Sequence, residues 1–318
     1  MQPPLPAGTI VQNRYHIIKV IREGSFGRTY LAADKKRFEE LCVLKEYNPN
    51  VEGTDWEYRR QLFEREAKTL YKIDHPQIPK FRATFEQAKR LFLVQDYVDG
   101  QTYRALLDMR LANNRKYTQR EIVQFFEQML PVLEHLHSKG FIHRDISPDN
   151  IIYSKITIEN KSKRLPVLID LGAVKEIGST KESSGAVQGT TVGKLGYSPP
   201  EQLQTGEVSP SSDLYALAVT AVVLMTGRKP EELLNQQTMM PCWHQWVPSL
   251  HPRFAPILNK MMSYRPENRY QSANDALFDL RSHKQLILGP AAPRVSARIN
   301  NENILSKIVR MIAQLLRR

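Results

Sequence analysis

FIHRDISPDN, Phe141–Asn150, puts a carboxylate, Asp145, five positions before a side-chain amide, Asn150. His143 and Arg144 precede the carboxylate and Ser147 lies between the two. At this spacing one carboxylate can receive a hydroxyl proton while an amide oxygen reaches a metal ion. Either residue alone would equally suit a turn or a helix cap. What stands in order along the rest of the chain decides between these.

Downstream, LIDLG ends a hydrophobic run on Asp170, an exposed carboxylate at a strand end that suits a second metal contact. Upstream, REGSFGRTY (Arg22–Tyr30) carries Gly24 and Gly27 between two β-type runs. Glycines there let a backbone approach phosphates closely, although they also serve simply to shape a hairpin. Lys45 closes the β-type run CVLK, and Glu66 follows on a helical stretch in FEREAKTL. A lone strand lysine is usually solvated, but with Glu66 it can hold phosphates in place.

The totals suit a globular protein: 318 residues, 41% hydrophobic and 25% charged, enough to bury a sizeable core. Lys and Arg number 45 against 33 Asp and Glu, a formal net charge of +12 that favours acidic partners such as nucleotide phosphates or an anionic membrane face. No arginine-aromatic array or zinc-ligand spacing points to nucleic acid. Two cysteines, Cys42 and Cys242, suit a reducing compartment, so a cytoplasmic protein is expected. The start, MQPPLPAGTI, lacks the basic region and apolar core of a secretory signal. The longest apolar run, Leu214–Met225, spans roughly 18 Å as a helix, short of the roughly 30 Å hydrocarbon core. It reads as a buried helix of a soluble domain.

A proline-rich arm, 1–14, comes first. Short β-type runs then dominate from Tyr15 to about residue 95, in YHIIKVI, RTYLAA, LCVLKEY and LFLVQDY, with one helical stretch near Asp55–Lys72. From about 100 to 285 the pattern turns helical: EIVQFFEQMLPVLEHLHSKG stops at a glycine, and SPSSDLYALAVTAVVLM starts on serines able to cap it. A further helical set runs from about Pro252 to Lys284. Two loops look inserted, Asn113–Lys116 and Ser154–Pro166, the second a surface hairpin with four basic residues facing solvent. A tail, 286–318, follows.

Together these motifs resemble the eukaryotic-like (Hanks-type) protein kinase family, bacterial serine/threonine kinases above all, over about Tyr15–Lys284. The resemblance implies an α+β fold of two lobes, a β-rich N-lobe over residues 15–95 and a helical C-lobe over 100–285. It implies ATP and Mg²⁺ as cofactors and protein substrates bearing Ser or Thr. By position, Lys45 contacts the α/β phosphates and pairs with Glu66, Asp145 is the catalytic base, and Asn150 and Asp170 ligate magnesium. The ATP site takes in Ile21, Gly24, Ser25, Phe26, Gly27, Thr29, Val43 and Lys45, with Gln95 as gatekeeper and Asp96 to Val98 as the hinge. Pro199-Pro200-Glu201 resembles the motif closing the activation segment, Arg269 its buried ion-pair partner, and Asp213 the aspartate bracing the catalytic loop. Pro148 matches the serine/threonine form of that loop.

Departures from the pattern matter as much. Arg22 stands where the first loop glycine usually lies, Val43 replaces an alanine over adenine, and Leu171 replaces a phenylalanine. Ser147 stands where the family places a lysine. The family threonine that contacts that lysine lies seven residues before the closing glutamate, and here that position is Lys194. The two residue types look exchanged, which predicts Lys194 close to both Asp145 and Ser147. Two unit charges about 4 Å apart interact by roughly 4 kcal/mol at an effective dielectric near 20, before desolvation. Otherwise Lys194 is a solvated loop lysine.

The leading expectation is a serine/threonine protein kinase that transfers the γ-phosphoryl group in line. A pseudokinase sensing nucleotide is the alternative, favoured by Ser147 and Arg22 and opposed by Lys45, Asp145, Asn150 and Asp170. A small-molecule kinase is opposed by the PPEQ segment with Asp213 and Arg269. Thr190 is the expected autophosphorylation site beside Arg144, with Thr191, Ser183 and Ser184 as alternatives. In the tail, Ile304, Leu305, Ile308, Val309, Ile312, Leu315 and Leu316 recur at helical spacing among six basic residues from Arg294 onward. Residues 300–318 therefore suit peripheral contact with an anionic membrane, a partner, or the kinase's own lobe.

Overall fold

β-Branched and aromatic residues alternating with polar ones make the first third of the chain a sheet. The computed structural model describes residues 3–24, 27–47, 56–171, 173–177, 193–233, 235, 242–247 and 249–289. It divides the chain into two units, Met1–Ile287 and Leu288–Arg318, and the first holds the fold. Strands β1 (Ile10–Val11), β2 (Tyr15–Gly24), β3 (Gly27–Asp34), β4 (Glu40–Tyr47), β5 (Phe81–Gln87) and β6 (Arg90–Asp96) form an antiparallel sheet in the order β1-β2-β3-β4-β6-β5. Its period of two sorts the side chains. Tyr15, Ile17, Tyr30, Ala32, Cys42, Leu44, Phe92 and Val94 build the core on one face. On the other face, Thr29, Lys45 and Leu93 stand opposite one another, as do Leu31, Val43 and Gln95. Four of the expected ATP-site residues thus share a single surface because of register alone.

The expected N-terminal arm is part of this sheet. Gly8 N–H donates to Ile17 O and Ile17 N–H to Thr9 O, both at 2.8 Å, and Val11 is buried in the core. Leu5 N–H reaches the Tyr30 hydroxyl at 3.2 Å. The prolines hide this segment from a strand pattern, yet its one buried residue and its backbone bonds dock it on the edge.

Helix α1 (Trp56–Lys72) carries Phe63, Glu66, Thr69 and Leu70 on its buried side. β7 (Gly100–Thr102) leads into α2 (Tyr103–Leu111), and α3 (Gln119–Ser138) starts on a capping box between Thr118 and Glu121. It closes at Gly140, whose φ of 81° is in the left-handed region. After β8 (Phe141–Ile142) comes the stretch quoted first, then β9 (Ile151–Ile158) and β10 (Lys161–Leu168), a hairpin turned at Glu159 and Asn160 with φ of 48° and 61°. Both positive values match a tight primed turn. The inserted loop expected at Ser154–Pro166 is the outer part of this hairpin, and its Lys155, Lys161, Lys163 and Arg164 are exposed.

β11 (Lys175–Glu176) pairs with β8, and α4 (Pro200–Gln204) precedes α5 (Pro210–Thr226). Every residue of α5 from Ser211 on is buried, which is why its sequence is apolar all round. Among the described residues no helix is long and apolar enough to cross a membrane. The expected helical set at 252–284 is two helices, α6 (Ala255–Met261) and α7 (Ala273–Leu288), parted by a turn carrying Arg269. The sheet lobe and the helical lobe are the two expected halves of an α+β fold.

Candidate active site

The β9–β10 hairpin assembles the site. Asn150 immediately precedes β9 and Asp170 lies two residues after β10, and Ile151 pairs with Leu168 at the hairpin's base. Ile169 N–H donates to Asn150 O at 2.9 Å. Residues 20 positions apart in sequence are thereby neighbours. Asp170 takes a φ of 68°, uncommon for a residue with a Cβ and a mark of a backbone held by its surroundings.

The Asn150 amide points its Nδ2 at Asp145, donating to Oδ2 at 2.7 Å and to the main-chain O at 2.9 Å. That fixes the Asp145 carboxylate and turns Asn150 Oδ1 outward. Burial pushes the Asp145 carboxyl above the usual carboxylate range, with the Asp170 charge adding to it and the charges of His143 and Lys194 opposing it. A base held this way is better matched to accepting a hydroxyl proton near neutral pH.

The loop itself is braced from below by Asp213 on α5. The buried carboxylate accepts from His143 N–H and Arg144 N–H, each at 2.9 Å, and lies 2.8 Å from His137 Nε2. Arg144 has a φ of 71°, so Asp213 holds a kinked loop that its own sequence does not favour.

Across the cleft, Lys45 Nζ donates to Glu66 Oε1 and to Asp170 Oδ1, both at 2.6 Å. The lysine pKa is raised: burial pulls it down, but the two carboxylates outweigh burial and keep the ammonium charged. α1, β4 and the hairpin therefore meet at one cation.

Asn150 Oδ1 and an Asp170 carboxylate oxygen both lie within 4 Å of a single atom, Arg22 Nη1, at 3.3 and 3.8 Å. Two hard oxygens aimed at a common cation are the donor set that Mg²⁺ takes, so the expected metal ligands fit that ion. When bound, the ion would neutralise charge on a nucleotide's phosphates.

Lys194 lies near enough to Asp145 for its charge to act on that carboxyl, and it makes its hydrogen bond to a neighbour. Its ammonium donates to Asp149 Oδ2, and Arg104 Nε stands 3.9 Å from the other oxygen of that carboxylate. Asp149 is partly exposed, whereas Asp145 is already engaged by Asn150. The hydroxyl of Ser147 is fully buried and has no hydrogen-bond partner among the described residues. Among the described residues Lys194 and Ser147 make no hydrogen bond to each other. Asp149 lies within Phe141–Asn150 with no local signal of this role, and none marks Arg104.

The closing segment is anchored as the family resemblance implied. Arg269 donates Nη1 to Glu201 Oε1 at 2.7 Å and Nη2 to Oε2 at 2.9 Å, and Ser212 Oγ adds 2.9 Å to Oε1. Gln202 Nε2 donates to Arg144 O at 2.8 Å, tying this segment to the catalytic loop.

In the sheet lobe, Gly24 and Gly27 end β2 and β3. A Cβ on Gly27, at φ 149°, would come within 1.8 Å of Glu46 O, so close strand approach alone demands glycine there. Gln95 is buried opposite Val43, and the Asp96 side chain is drawn to Arg82 Nε at 2.6 Å at the end of β6. Ile21 is exposed, and Val98 is half-buried. Ser25, Phe26, Ser183, Ser184, Thr190, Thr191 and residues 300–318 lie outside the described residues.

A family model for the protein kinase domain matches residues 15–279. Serine/threonine-protein kinase B of Synechocystis sp. is 34% identical over 84% of this chain and 46% of its own. Serine/threonine-protein kinase PknA of Nostoc sp. is 34% identical over 84% of this chain and 47% of its own, and PrkC of Bacillus subtilis 27% over 86% and 41%. The chain thus spans about half the length of the curated relatives it matches. The crystal structure of the Mycobacterium tuberculosis PknI kinase domain covers 88% of this chain and 99% of its own, with a TM-score of 0.66 at 23% identity, a likeness of fold.

Proposed function

As the chain belongs to the protein kinase family, in its bacterial serine/threonine branch, we propose that it transfers the γ-phosphoryl group of ATP, with Mg²⁺, to serine or threonine hydroxyls of proteins. The observation that carries this is the meeting of Lys45, Glu66, Asp170, Asn150 and Asp145 in one chain of contacts across the cleft. Lys45 positions phosphates, Asn150 and Asp170 hold the metal, and Asp145 takes the hydroxyl proton as its oxygen attacks in line. Lys194 acts through Asp149 to place the activation segment. The PPEQ segment, docked by Arg269 and Gln202, supports a peptide substrate rather than a small molecule.

The same reading includes a cytoplasmic setting, autophosphorylation at Thr190 with Thr191, Ser183 and Ser184 as alternatives, and a role for residues 300–318 at an anionic membrane or a partner. Incubation with labelled ATP and Mg²⁺, followed by mapping of the phosphorylated residues, tests it. Label on serine or threonine that Asp145→Asn abolishes supports the kinase. Nucleotide binding without any transfer would make the chain a nucleotide-sensing scaffold.

A further inference from the structure

Arg22 owes its position to strand register. Strand β2 slips twice against β3, once at Ile18 and again at Ile21, where Val20 pairs with Tyr30 and Arg22 with Thr29; the second slip, a bulge, decides the side on which Arg22 lies. Without that bulge Ile21 would face Thr29, and Arg22 would stand beside Arg28 on the other face of the sheet. With it, Arg22 joins Thr29 and Lys45 on the face that looks into the cleft. From there its Nη1 donates to Asn150 Oδ1 at 3.3 Å and lies 3.8 Å from Asp170 Oδ2.

Among the described residues, Lys45, Lys194 and Arg104 each have a carboxylate partner. Lys45 is held by Glu66 and Asp170 at 2.6 Å, and Lys194 and Arg104 converge on Asp149. Ser147 leaves the catalytic loop itself without a lysine. Resting on the kinase reading above, we propose that Arg22 is a phosphate-binding residue of the transfer site, supplying from the glycine-rich loop the positive charge that the catalytic loop lacks at Ser147.

The chemistry follows from competition for oxygens. Asn150 and Asp170 hold Arg22 by one long hydrogen bond and one loose ion pair, and their hard oxygens would be given over to Mg²⁺ if it bound there. Arg22, still carried on the cleft face by its bulge, would then be free to meet phosphate oxygens of the nucleotide. A guanidinium fork matches phosphate geometry and stays charged at any working pH, which makes the position more demanding than a lysine's. Charge that develops on the transferred group would be met from above by Arg22, while Asp145 works from below.

Binding of a non-hydrolysable ATP analogue and of ADP, each with Mg²⁺, should be measured by titration calorimetry for the wild type, Arg22→Gln and Arg22→Lys. Turnover is followed alongside. Arg22→Gln is expected to lower kcat and to weaken the triphosphate about ten- to a hundredfold more than ADP, the size of one charge-assisted hydrogen bond. Arg22→Lys should restore part of both. An analogue-to-ADP affinity ratio equal to that of the wild type overturns the assignment. So does tighter analogue binding in Arg22→Gln, which would make the guanidinium a mere competitor for the metal ligands. If the wild type binds both nucleotides yet transfers nothing, the kinase reading fails while the affinity ratio still judges Arg22.

Discussion

Lys194 is tied by an ion pair to Asp149, which fastens position 194 to the loop that carries Asp145, two residues beyond Ser147. The pair is partly exposed, and its contribution to folding is small, about 0.2–1 kcal/mol for such a contact. Its value is geometric. Lys194→Thr and Asp149→Asn are each expected to lower kcat/KM, and the double variant should be little worse than the poorer single one. Such non-additivity marks two residues with one task. Additive losses in a kinetic cycle would show that they act apart.

Asp145 trades stability for function. Burial raises its folded pKa above the ordinary value of 3.8. The folded state therefore takes up the proton before the unfolded chain does, and this group's contribution to stability falls as pH rises through the folded pKa. At neutral pH the charged, buried carboxylate is a cost. Asp145→Asn removes that charge, and it should raise the melting temperature at pH 7 while cutting transfer roughly a hundredfold to ten-thousandfold. A melting temperature that falls, measured by scanning calorimetry, would contradict the burial argument.

Asp213 works in the opposite sense. Burial pushes its carboxyl up, but the hydrogen bond and charge of His137, with His143 and the Arg144 amide, hold it below its ordinary value of 3.8. The stability it contributes is present above that value and is lost as pH falls through the lower folded pKa. Acid titration of the wild type should show this loss, and Asp213→Asn should be less stable at neutral pH with a flatter acid limb. Parallel acid limbs for the two proteins would remove Asp213 from the pH dependence.

Arg269 and Glu201 form a bidentate pair whose arginine side chain is fully buried. Removing one partner strands the other, a loss of about 3–5 kcal/mol for a buried charge pair. Glu201→Ala is expected to approach that figure in urea unfolding, because Arg269 would keep the carbonyls of Ser211, Ser263 and Tyr264 and the Tyr215 ring but no carboxylate among the described residues. A loss under about 1 kcal/mol would place the pair with ordinary surface contacts.

The order of motifs, the two lobes, the glycine stop after α3, and α5 as a buried helix were legible along the chain, because glycine stops and apolar period act within a few residues. The Arg269–Glu201 and Lys45–Glu66 pairs were legible too, since each element carries its residue at the spacing the family pattern requires. The contacts of Lys194 and Arg22 were not. Lys194 faces Asp149 because a segment returns across 45 positions to lie against the catalytic loop, and no local preference records that return. Arg22 faces the cleft because the second of two register slips in β2, at Ile21, moves it from one side of the sheet to the other, a step set by pairing with β3. Side-chain period is short-ranged and belongs to the sequence; register and the partner across a cleft are properties of elements meeting, and they exist only once the sheet and the lobes are formed.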